Sequence, residues 1–300
     1  MSRPTIIGAL WIIASAFAFM AANIAIRHLG AKLPPLEMAM FRSAGGLIMV
    51  LVAWRAFLHL RQLRDPYIHL VRAIVGAVSL MALVHSYATL PIALVTAFMY
   101  VRAALVIPMA RLFLGERVGP DVWAAVCLGI AGGVVALWPR LTTIGTPAAV
   151  WDGWEALILP LAAFAGAGSH ICMRRLALTN PPSVVVAVSA ILVTAVVAVP
   201  ASSVAIEPPA ADIPLLVGMA LLSGLAQWFT VRGYSYASPA RLAPLSLIDV
   251  PIALVAGYVL FGEVPGGMQA VGSAMIIGAA LYVFKVEQSD SRSNSSESPP

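Results

Sequence analysis

Two residues of opposite charge lie in segments that are otherwise apolar. Arg102 stands in FMYVRAALVIP and Asp249 in LSLIDVPIALV, and the two positions are 147 residues apart (249 − 102 = 147). A charge near the centre of a bilayer costs at least about 2.5–3.5 kcal/mol, whereas opposite charges compensate each other. We expect both side chains to face the protein interior. There they form an ion pair directly, act together through water or a bound ligand, or only hold two helices together.

Two histidines within apolar segments are further candidates for chemistry. Histidine changes its charge near neutral pH, so His85 and His170 are candidates for proton transfer as well as ordinary hydrogen-bonding residues. The spacing of 147 residues relates Asn23 to His170 and His85 to Arg232. We therefore predict one vestibule with Asn23 and His85, and an opposite vestibule with His170 and Arg232.

A polar stripe runs along another apolar segment. Ser223, Gln227, Thr230 and Tyr234 follow one another at helical spacing and share one helix face. Lipid cannot satisfy such groups, so the stripe must face protein or water. It either lines a cavity, with Trp228 as an aromatic wall, or joins helices by packing and hydrogen bonds. The predicted ligand-binding residues are Phe19, Asn23, His85, Met99, Tyr100, Arg102, His170, Gln227, Trp228, Thr230, Arg232 and Asp249.

The elements that must position these residues are membrane-spanning helices. Of the 300 residues, 61% are hydrophobic and 10% charged, whereas a soluble domain is about 45–50% apolar and about 25% charged. Apolar segments of about 20 residues cross a bilayer as helices. The sequence therefore predicts an all-α integral membrane protein with ten spans. The predicted spans are 5–27, 36–58, 68–89, 91–114, 120–139, 154–177, 183–201, 213–235, 239–261 and 265–284.

Basic residues set the predicted orientation. Cytoplasmic loops of membrane proteins carry an excess of Lys and Arg, and this rule places both termini in the cytoplasm, as in a multi-pass protein of the bacterial inner membrane. The net charge of +5 is therefore not a nucleic-acid signature. Residues 285–300 are polar and rich in serine, which predicts a disordered cytoplasmic tail.

The chain consists of two related copies. A shift of 147 residues aligns Phe17 with Phe164, and LFLGERV at 112–118 with VLFGEVP at 259–265. Each copy holds five spans, and because five is odd the second copy enters the membrane from the opposite side. The predicted units are an inverted pair of five-helix repeats at 5–139 and 154–284.

Two smaller features of the repeats carry structural predictions. Glu116 and Glu263 end the fourth and ninth spans, where the helix dipole disfavours a carboxylate, and we predict that they cap the helices that follow. Small residues spaced four apart, at Gly129 and Gly133 in one span and at Ala274 and Gly278 in another, predict close helix contact.

Ten spans in two repeats, with LGE or FGE ending the fourth span of each and a glycine-rich fifth span, resemble the drug/metabolite transporter superfamily, and within it the bacterial EamA-type carriers. The resemblance covers residues 7–284. It implies alternating-access transport of small metabolites, with protons as a candidate coupling ion and no cofactor. It also places a cavity among the first, third, fourth, sixth, eighth and ninth spans.

Other classes of protein find less support. The sequence has no H-E-x-x-H, Walker A or G-x-S-x-G motif, and no soluble ATPase domain. A channel would need a ring of charges or carbonyl groups. An arginine and an aspartate near mid-membrane suit a zwitterion, so we expect amino acids or related molecules as the substrates. We expect export as the direction, which no residue pattern fixes. Uptake or uniport of another metabolite and efflux of drugs or amines remain as alternatives, and the sequence leaves the oligomeric state open.

Overall fold

The computed structural model describes residues 3–52, 63–114, 120–141, 157–177, 179–180, 182–236 and 248–296, and within them it contains helices and no strand. The helices are α1 (Arg3–Leu29), α2 (Pro35–Val52), α3 (Pro66–Thr89), α4 (Ile92–Leu114), α5 (Pro120–Leu141), α6 (Ile158–Ala177), α7 (Pro182–Ser202), α8 (Ile213–Tyr236), α9 (Asp249–Phe261) and α10 (Gly267–Ser296).

Hydropathy and length identify membrane-crossing helices within the described residues. Four stretches are long and apolar enough to cross a bilayer, namely Ile6–Leu29, Pro66–Thr89, Val184–Ser202 and Ile213–Thr230. Several other helices contain shorter apolar stretches. Together with the 61% hydrophobic composition, these helices make the chain an all-α multi-pass membrane protein.

Within the described residues, the largest difference from the predicted spans occurs in the last helix. The predicted start of the ninth span, at 239, lies outside the described residues, which resume at 248 before α9 (Asp249–Phe261). Helix α10 reaches Ser296, 12 residues beyond the predicted end at 284 (296 − 284 = 12). Each residue added to an existing helix gains a hydrogen bond without a new nucleation cost. The structure therefore has helix where the sequence predicted a disordered tail.

Local sequence explains where several helices begin and end. Pro35, Pro66, Pro120 and Pro182 stand at the first positions of α2, α3, α5 and α7. Proline is favoured there because its fixed φ suits a helix and its missing N–H would have no partner. Helix α9 ends at Gly262, which has φ 63° in the left-handed region, a conformation that glycine adopts without steric cost.

The helices pack mainly between the two halves of the chain. Helix α1 lies along α8, and α3 lies along α6, while α2 contacts both α7 and α8 and α3 also contacts α7. Helix α4 reaches α6, α9 and α10, and α5 packs on α10. The polar residues of the first, third, fourth, eighth and ninth spans are therefore carried by helices that meet in one bundle.

Two buried hydrogen bonds are related to each other by the same offset of 147 residues. Ser15 Oγ donates to the carbonyl oxygen of Ala226 at 2.8 Å, and Ser79 Oγ donates to that of Ala162 at 2.8 Å. The positions correspond in both directions, because 162 − 15 = 147 and 226 − 79 = 147. One bond joins α1 to α8, and the other joins α6 to α3.

Two contacts near helix ends are related in the same way. Lys32 Nζ lies 2.8 Å from Asp212 Oδ1, and Thr179 Oγ1 donates to Asp65 Oδ2 at 2.8 Å. Here 179 − 32 = 147 and 212 − 65 = 147. Each contact links a loop of one half to a helix start in the other half.

Glycines permit the closest helix contacts. A Cβ at Gly45 of α2 would overlap the carbonyl oxygen of Ala220 in α8. Helices α5 and α10 meet at Gly132 and Gly272, where added Cβ atoms would strike the opposite backbone. The α5–α10 contact thus lies one position from the predicted Gly133, which packs instead against side chains of α4. A shift of one residue turns a helix by about 100°, and spacing alone does not fix that rotation.

Candidate functional site

Arg42 of α2 lies between two residues of α1. Its Nη1 donates to Asn23 Oδ1 at 2.9 Å, and its guanidinium carbon lies 5.8 Å from the centre of the Phe19 ring. Asn23 is buried and Phe19 half-buried. One turn of α1 separates these two residues, so the guanidinium lies against one face of α1.

Tyr87 of α3 interacts electrostatically with charged residues of several helices. Its side chain interacts electrostatically with Arg42, Arg102 and Asp249, which come from three other helices. The Tyr87 phenol shares a hydrogen bond of 3.2 Å with Thr96 Oγ1 of α4. Both Tyr87 and Thr96 are buried. We call Arg42, Tyr87, Arg102 and Asp249 the central group.

Arg102 and Asp249 do not form the direct ion pair that was one of the predicted alternatives. Among the described residues, the ion pairs within 4.0 Å are Arg27–Glu263 and Lys32–Asp212. Instead the aliphatic part of Arg102 packs on α6, where a Cβ at Gly166 would lie 2.7 Å from its Cδ. Packing of α4 against α6 thus directs Arg102 toward α6.

Asp249 lies in the first turn of α9 and is partly exposed. Its Oδ1 is buried and has no hydrogen-bond partner within the described part of the chain. A buried carboxylate oxygen without a partner is unfavourable. Within the described residues, this oxygen therefore keeps an unused hydrogen-bond acceptor.

The two predicted histidines occupy different environments. His170 is exposed, its Nδ1 shares a 2.9 Å hydrogen bond with the carbonyl oxygen of Gly166, and its ring interacts electrostatically with Arg102. His85 of α3 is half-buried, and Thr89 Oγ1 donates to its backbone carbonyl at 2.8 Å. The structure thus brings His170 to the α4–α6 contact, beside Arg102.

Met99 and Tyr100 of α4 pack at the edge of the apolar core. Both are half-buried and contact the core that contains Phe98 and Val101. Both residues lie within one turn of Arg102, on the helix that carries this member of the central group.

Trp228 of α8, the predicted aromatic wall, belongs to a separate cluster. Trp228 stacks edge-on against Trp11 of α1, with ring centres 5.5 Å apart, and Arg232 lies over the Trp228 ring at 5.7 Å. Phe229 completes this cluster. Trp228 is 40% exposed, and its ring contacts among the described residues are with this cluster.

The remaining α8 residues of the predicted set divide between two environments. Gln227 is exposed. Thr230 shares a 2.7 Å hydrogen bond with Ser15 Oγ of α1, so it serves the α1–α8 contact. Ser223 of the same stripe is buried and donates to Met219 O at 2.8 Å, while the side chain of Tyr234 lies outside the described residues. The stripe is therefore partly a packing surface.

Glu263 joins the ends of four helices, which we call the Glu263 junction. Its Oε2 accepts a 2.9 Å hydrogen bond from Ile92 N at the start of α4, and its Oε1 lies 3.1 Å from Arg27 Nη2. Arg27 Nη1 also donates to the Ala88 carbonyl at 2.9 Å. The predicted cap on the helix that follows is thus wrong for Glu263, which caps α4 in the other half. Free N–H groups and the helix dipole favour a carboxylate there. Glu116, the other predicted cap, lies outside the described residues.

Two charged residues of α2 were left without a role by the sequence. Arg42 joins the predicted Asn23 and Phe19, and Glu37 Oε2 accepts from Ile206 N at 3.2 Å. The sequence signal for Arg42 was an arginine two turns into an apolar helix. Comparison of the two repeats did not single it out, because the corresponding residue of the second half is the uncharged Ser189.

In the parts of the chain that are described, no three His, Cys, Asp or Glu side chains cluster as metal ligands. The guanidinium, phenol and carboxyl groups of the central group are able to recognise charge and exchange protons.

Comparisons with known proteins point to one family. The EamA-like transporter family matches this chain twice, at residues 6–138 and 153–285. The two matches are offset by 147 residues at both ends (153 − 6 = 147 and 285 − 138 = 147).

Named relatives span almost the whole chain. It is 30% identical to a riboflavin transporter of Rhizobium johnstonii, over 94% of this chain and 92% of that protein. It is 25% identical to a pseudopaline exporter of Pseudomonas aeruginosa, over 94% and 97%. It is also 25% identical to an S-adenosylmethionine uptake transporter of Rickettsia felis, over 93% and 92%. A protein crystal structure shares the fold with a TM-score of 0.59 and 20% identity, over 94% and 96% of the two chains.

Proposed function

The chain belongs to the EamA-like transporter family, and from this premise we propose that it is a secondary carrier that moves a small polar metabolite across the bacterial inner membrane by alternating access. It is a transporter of small molecules and not an enzyme, as its family and its named relatives indicate. We further propose that its helices form two inverted five-helix repeats, with both termini in the cytoplasm.

Three observations support the inverted repeat. The family matches the chain twice with an offset of 147 residues. The serine–carbonyl bonds of α1–α8 and α3–α6 obey the same offset, as do the Lys32–Asp212 and Asp65–Thr179 contacts. Contacts exchanged in this way are expected when a two-fold axis relates the halves, and an axis in the membrane plane lets one cavity face either side.

The observation that carries the proposed function is the central group. Arg42, Arg102 and Asp249 come from three apolar helices and all interact electrostatically with Tyr87. Ionisable residues at membrane depth are expensive, and they mark substrate or ion pathways. Asp249, with one buried oxygen lacking a partner within the described chain, is the proposed proton-binding residue of a proton-coupled cycle.

Substrate and direction are separate parts of the proposal. The names of the relatives cover three different molecules, and they include both uptake and export. We propose a zwitterionic metabolite, such as an amino acid, because the central group offers both positive and negative charge. We propose export as the direction, with uptake as the alternative, since the names of the relatives include both.

Counterflow in proteoliposomes tests the carrier function. Purified protein is screened for thermal stabilisation by amino acids, flavins, nucleosides, sugars and amines, and each stabilising compound is loaded inside vesicles. We expect labelled compound to accumulate transiently against its gradient in loaded vesicles and not in empty ones. A flux that rises in proportion to concentration, without counterflow, would indicate a channel and contradict the proposal.

A further inference from the structure

Arg42 has only neutral partners among the described residues. Its contacts there are the amide oxygen of Asn23 at 2.9 Å and the ring of Phe19 at 5.8 Å. The ion pairs of the described chain within 4.0 Å, Arg27–Glu263 and Lys32–Asp212, do not include it. No carboxylate of the described residues therefore neutralises the charge of Arg42 by direct contact.

A guanidinium within a bundle of apolar helices needs compensation. An isolated arginine in a membrane is energetically costly, and an uncharged acceptor offsets only part of this cost. Arginine carries five N–H donors, and the hydrogen bond to Asn23 uses one of them. The unused donors form the planar fork that binds two oxygens of a carboxylate or phosphate.

The second repeat shows that the fold itself does not require this charge. The residue at the corresponding position of α7 is Ser189 (189 − 42 = 147), and its Oγ donates to the carbonyl of Val185 at 2.6 Å. A serine satisfied within its own helix is therefore sufficient at this place in the other half. The arginine in α2 needs another explanation than helix packing.

We propose that Arg42 binds an oxyanion group, a carboxylate or a phosphate, of the transported molecule. Asn23 and Phe19 orient the guanidinium before the substrate arrives, which lowers the entropy lost on binding. Among the described residues that interact electrostatically with Tyr87, Arg102 adds a second positive charge to that of Arg42, and Asp249 is the carboxylate. This excess of positive charge favours molecules that carry an acidic group. This inference rests on the proposed carrier function, because it assigns the substrate class of that same site.

Matched pairs of probes test the preference for an acidic group. L-Phenylalanine and L-phenylalaninamide differ in the carboxylate, and flavin mononucleotide and riboflavin differ in the phosphate. Binding to the purified full chain is measured by thermal shift and equilibrium binding. We expect one acidic probe to bind at least about tenfold more tightly than its neutral partner, since hydrogen bonds between charged groups are worth that much. The pair that shows the difference identifies a carboxylate or a phosphate as the recognised group.

Variants assign the preference to Arg42. Arg42→Gln should remove the tenfold preference, because the acidic probe loses more affinity than its neutral partner. Arg42→Lys keeps the charge but not the planar fork, so it should retain only part of the preference; it also serves if Arg42→Gln does not fold. Arg64→Gln is the matched control, because it removes the charge of an exposed arginine, and it should bind like the wild type.

The outcomes separate this inference from the carrier function. If no acidic probe binds better than its neutral partner, or if both Arg42 variants keep the full preference, the role of Arg42 is wrong. Counterflow of a neutral solute would then still support the carrier. Conversely, a preference for the acidic probe that depends on Arg42, without flux or counterflow, would support the oxyanion site and contradict the carrier function.

Discussion

At the residue scale, charges within apolar helices were predictable but their partners were not. Arg102, Asp249 and Asn23 stand out in the sequence because polar groups in a membrane are costly. The offset of 147 residues then suggested that Arg102 and Asp249 pair. Such an offset identifies equivalent positions of the two repeats, which need not be in contact. In the structure Arg102 packs on Gly166 of α6, and Asn23 binds Arg42. These contacts depend on helix rotation and rotamers, which the spacing of residues does not encode.

Replacing Asp249 tests the proposed proton coupling. Asparagine keeps the size of the side chain but cannot bind and release a proton. We expect Asp249→Asn to lower transport driven by an imposed pH gradient by about tenfold or more, while counterflow without a gradient continues. Both are measured in proteoliposomes with the substrate found in the screen.

Glu207→Gln is the control for this variant, because it neutralises an exposed carboxylate in the loop before α8. It should transport like the wild type. A pH dependence that survives unchanged in Asp249→Asn would remove Asp249 from the coupling step.

At the scale of helices, the sequence predicted the elements well and their facing surfaces less well. Spans such as 213–235 agree closely with α8 (Ile213–Tyr236), because a run of apolar residues bounded by polar loops has visible ends. The contact of α5 with α10 uses Gly132 and Gly272, neither of which belongs to the predicted pairs. Which small residues meet depends on the relative rotation of two helices, and many faces of these helices are apolar.

Adjacent glycines of α2 make a matched pair for testing helix contact. A Cβ at Gly45 would overlap the backbone of Ala220, whereas nothing lies within 4 Å of a Cβ at Gly46. We expect Gly45→Ala to destabilise the protein by about 1–3 kcal/mol through overpacking. Gly46→Ala should be neutral or stabilising by up to about 1 kcal/mol, since alanine is the better helix former. Thermal unfolding in detergent measures both, and equal melting temperatures would contradict the close contact of α2 with α8.

The Glu263 junction tests how four helices are held at one end of the bundle. Glutamine keeps an acceptor for Ile92 N–H but loses the charge that attracts Arg27, and charge-assisted hydrogen bonds are about twice as strong as neutral ones. We expect this end of the helix bundle to open more often in Glu263→Gln than in the wild type. In a background with Cys127→Ser and Cys172→Ser, the buried Leu90→Cys should react several-fold faster with a membrane-impermeant maleimide.

The exposed Glu207→Gln again provides the control, since it changes the charge at the same predicted side without touching the junction. If Leu90→Cys reacts at one rate in all backgrounds, Glu263 does not limit opening at that end.

At the scale of the whole molecule, the repeat was the strongest signal in the sequence. Proline, arginine and glutamate recur at an offset of 147 residues, and such matches are unlikely in a chain dominated by small apolar residues. The related contacts Ser15–Ala226 and Ser79–Ala162 follow the same offset. Departures from the repeat were not interpretable from the sequence alone. Arg42 opposite Ser189 is one such departure, and its meaning depends on contacts with α1.

Labelling from outside the cell tests the inverted arrangement as a whole. In the cysteine-free background, exposed positions between helices are replaced one at a time: Ala31→Cys, Ser203→Cys, Leu63→Cys and Thr179→Cys. With cytoplasmic termini and ten crossings, an impermeant maleimide applied to intact cells should label the first two and not the second two. The Lys32–Asp212 and Asp65–Thr179 contacts agree with this grouping, because each joins loops predicted on one side. Lysed cells, in which all four positions react, control for accessibility. Labelling of Leu63→Cys and Thr179→Cys alone would reverse the predicted orientation but still agree with the inverted repeat. Labelling of Ala31→Cys without Ser203→Cys would contradict the inverted repeat itself.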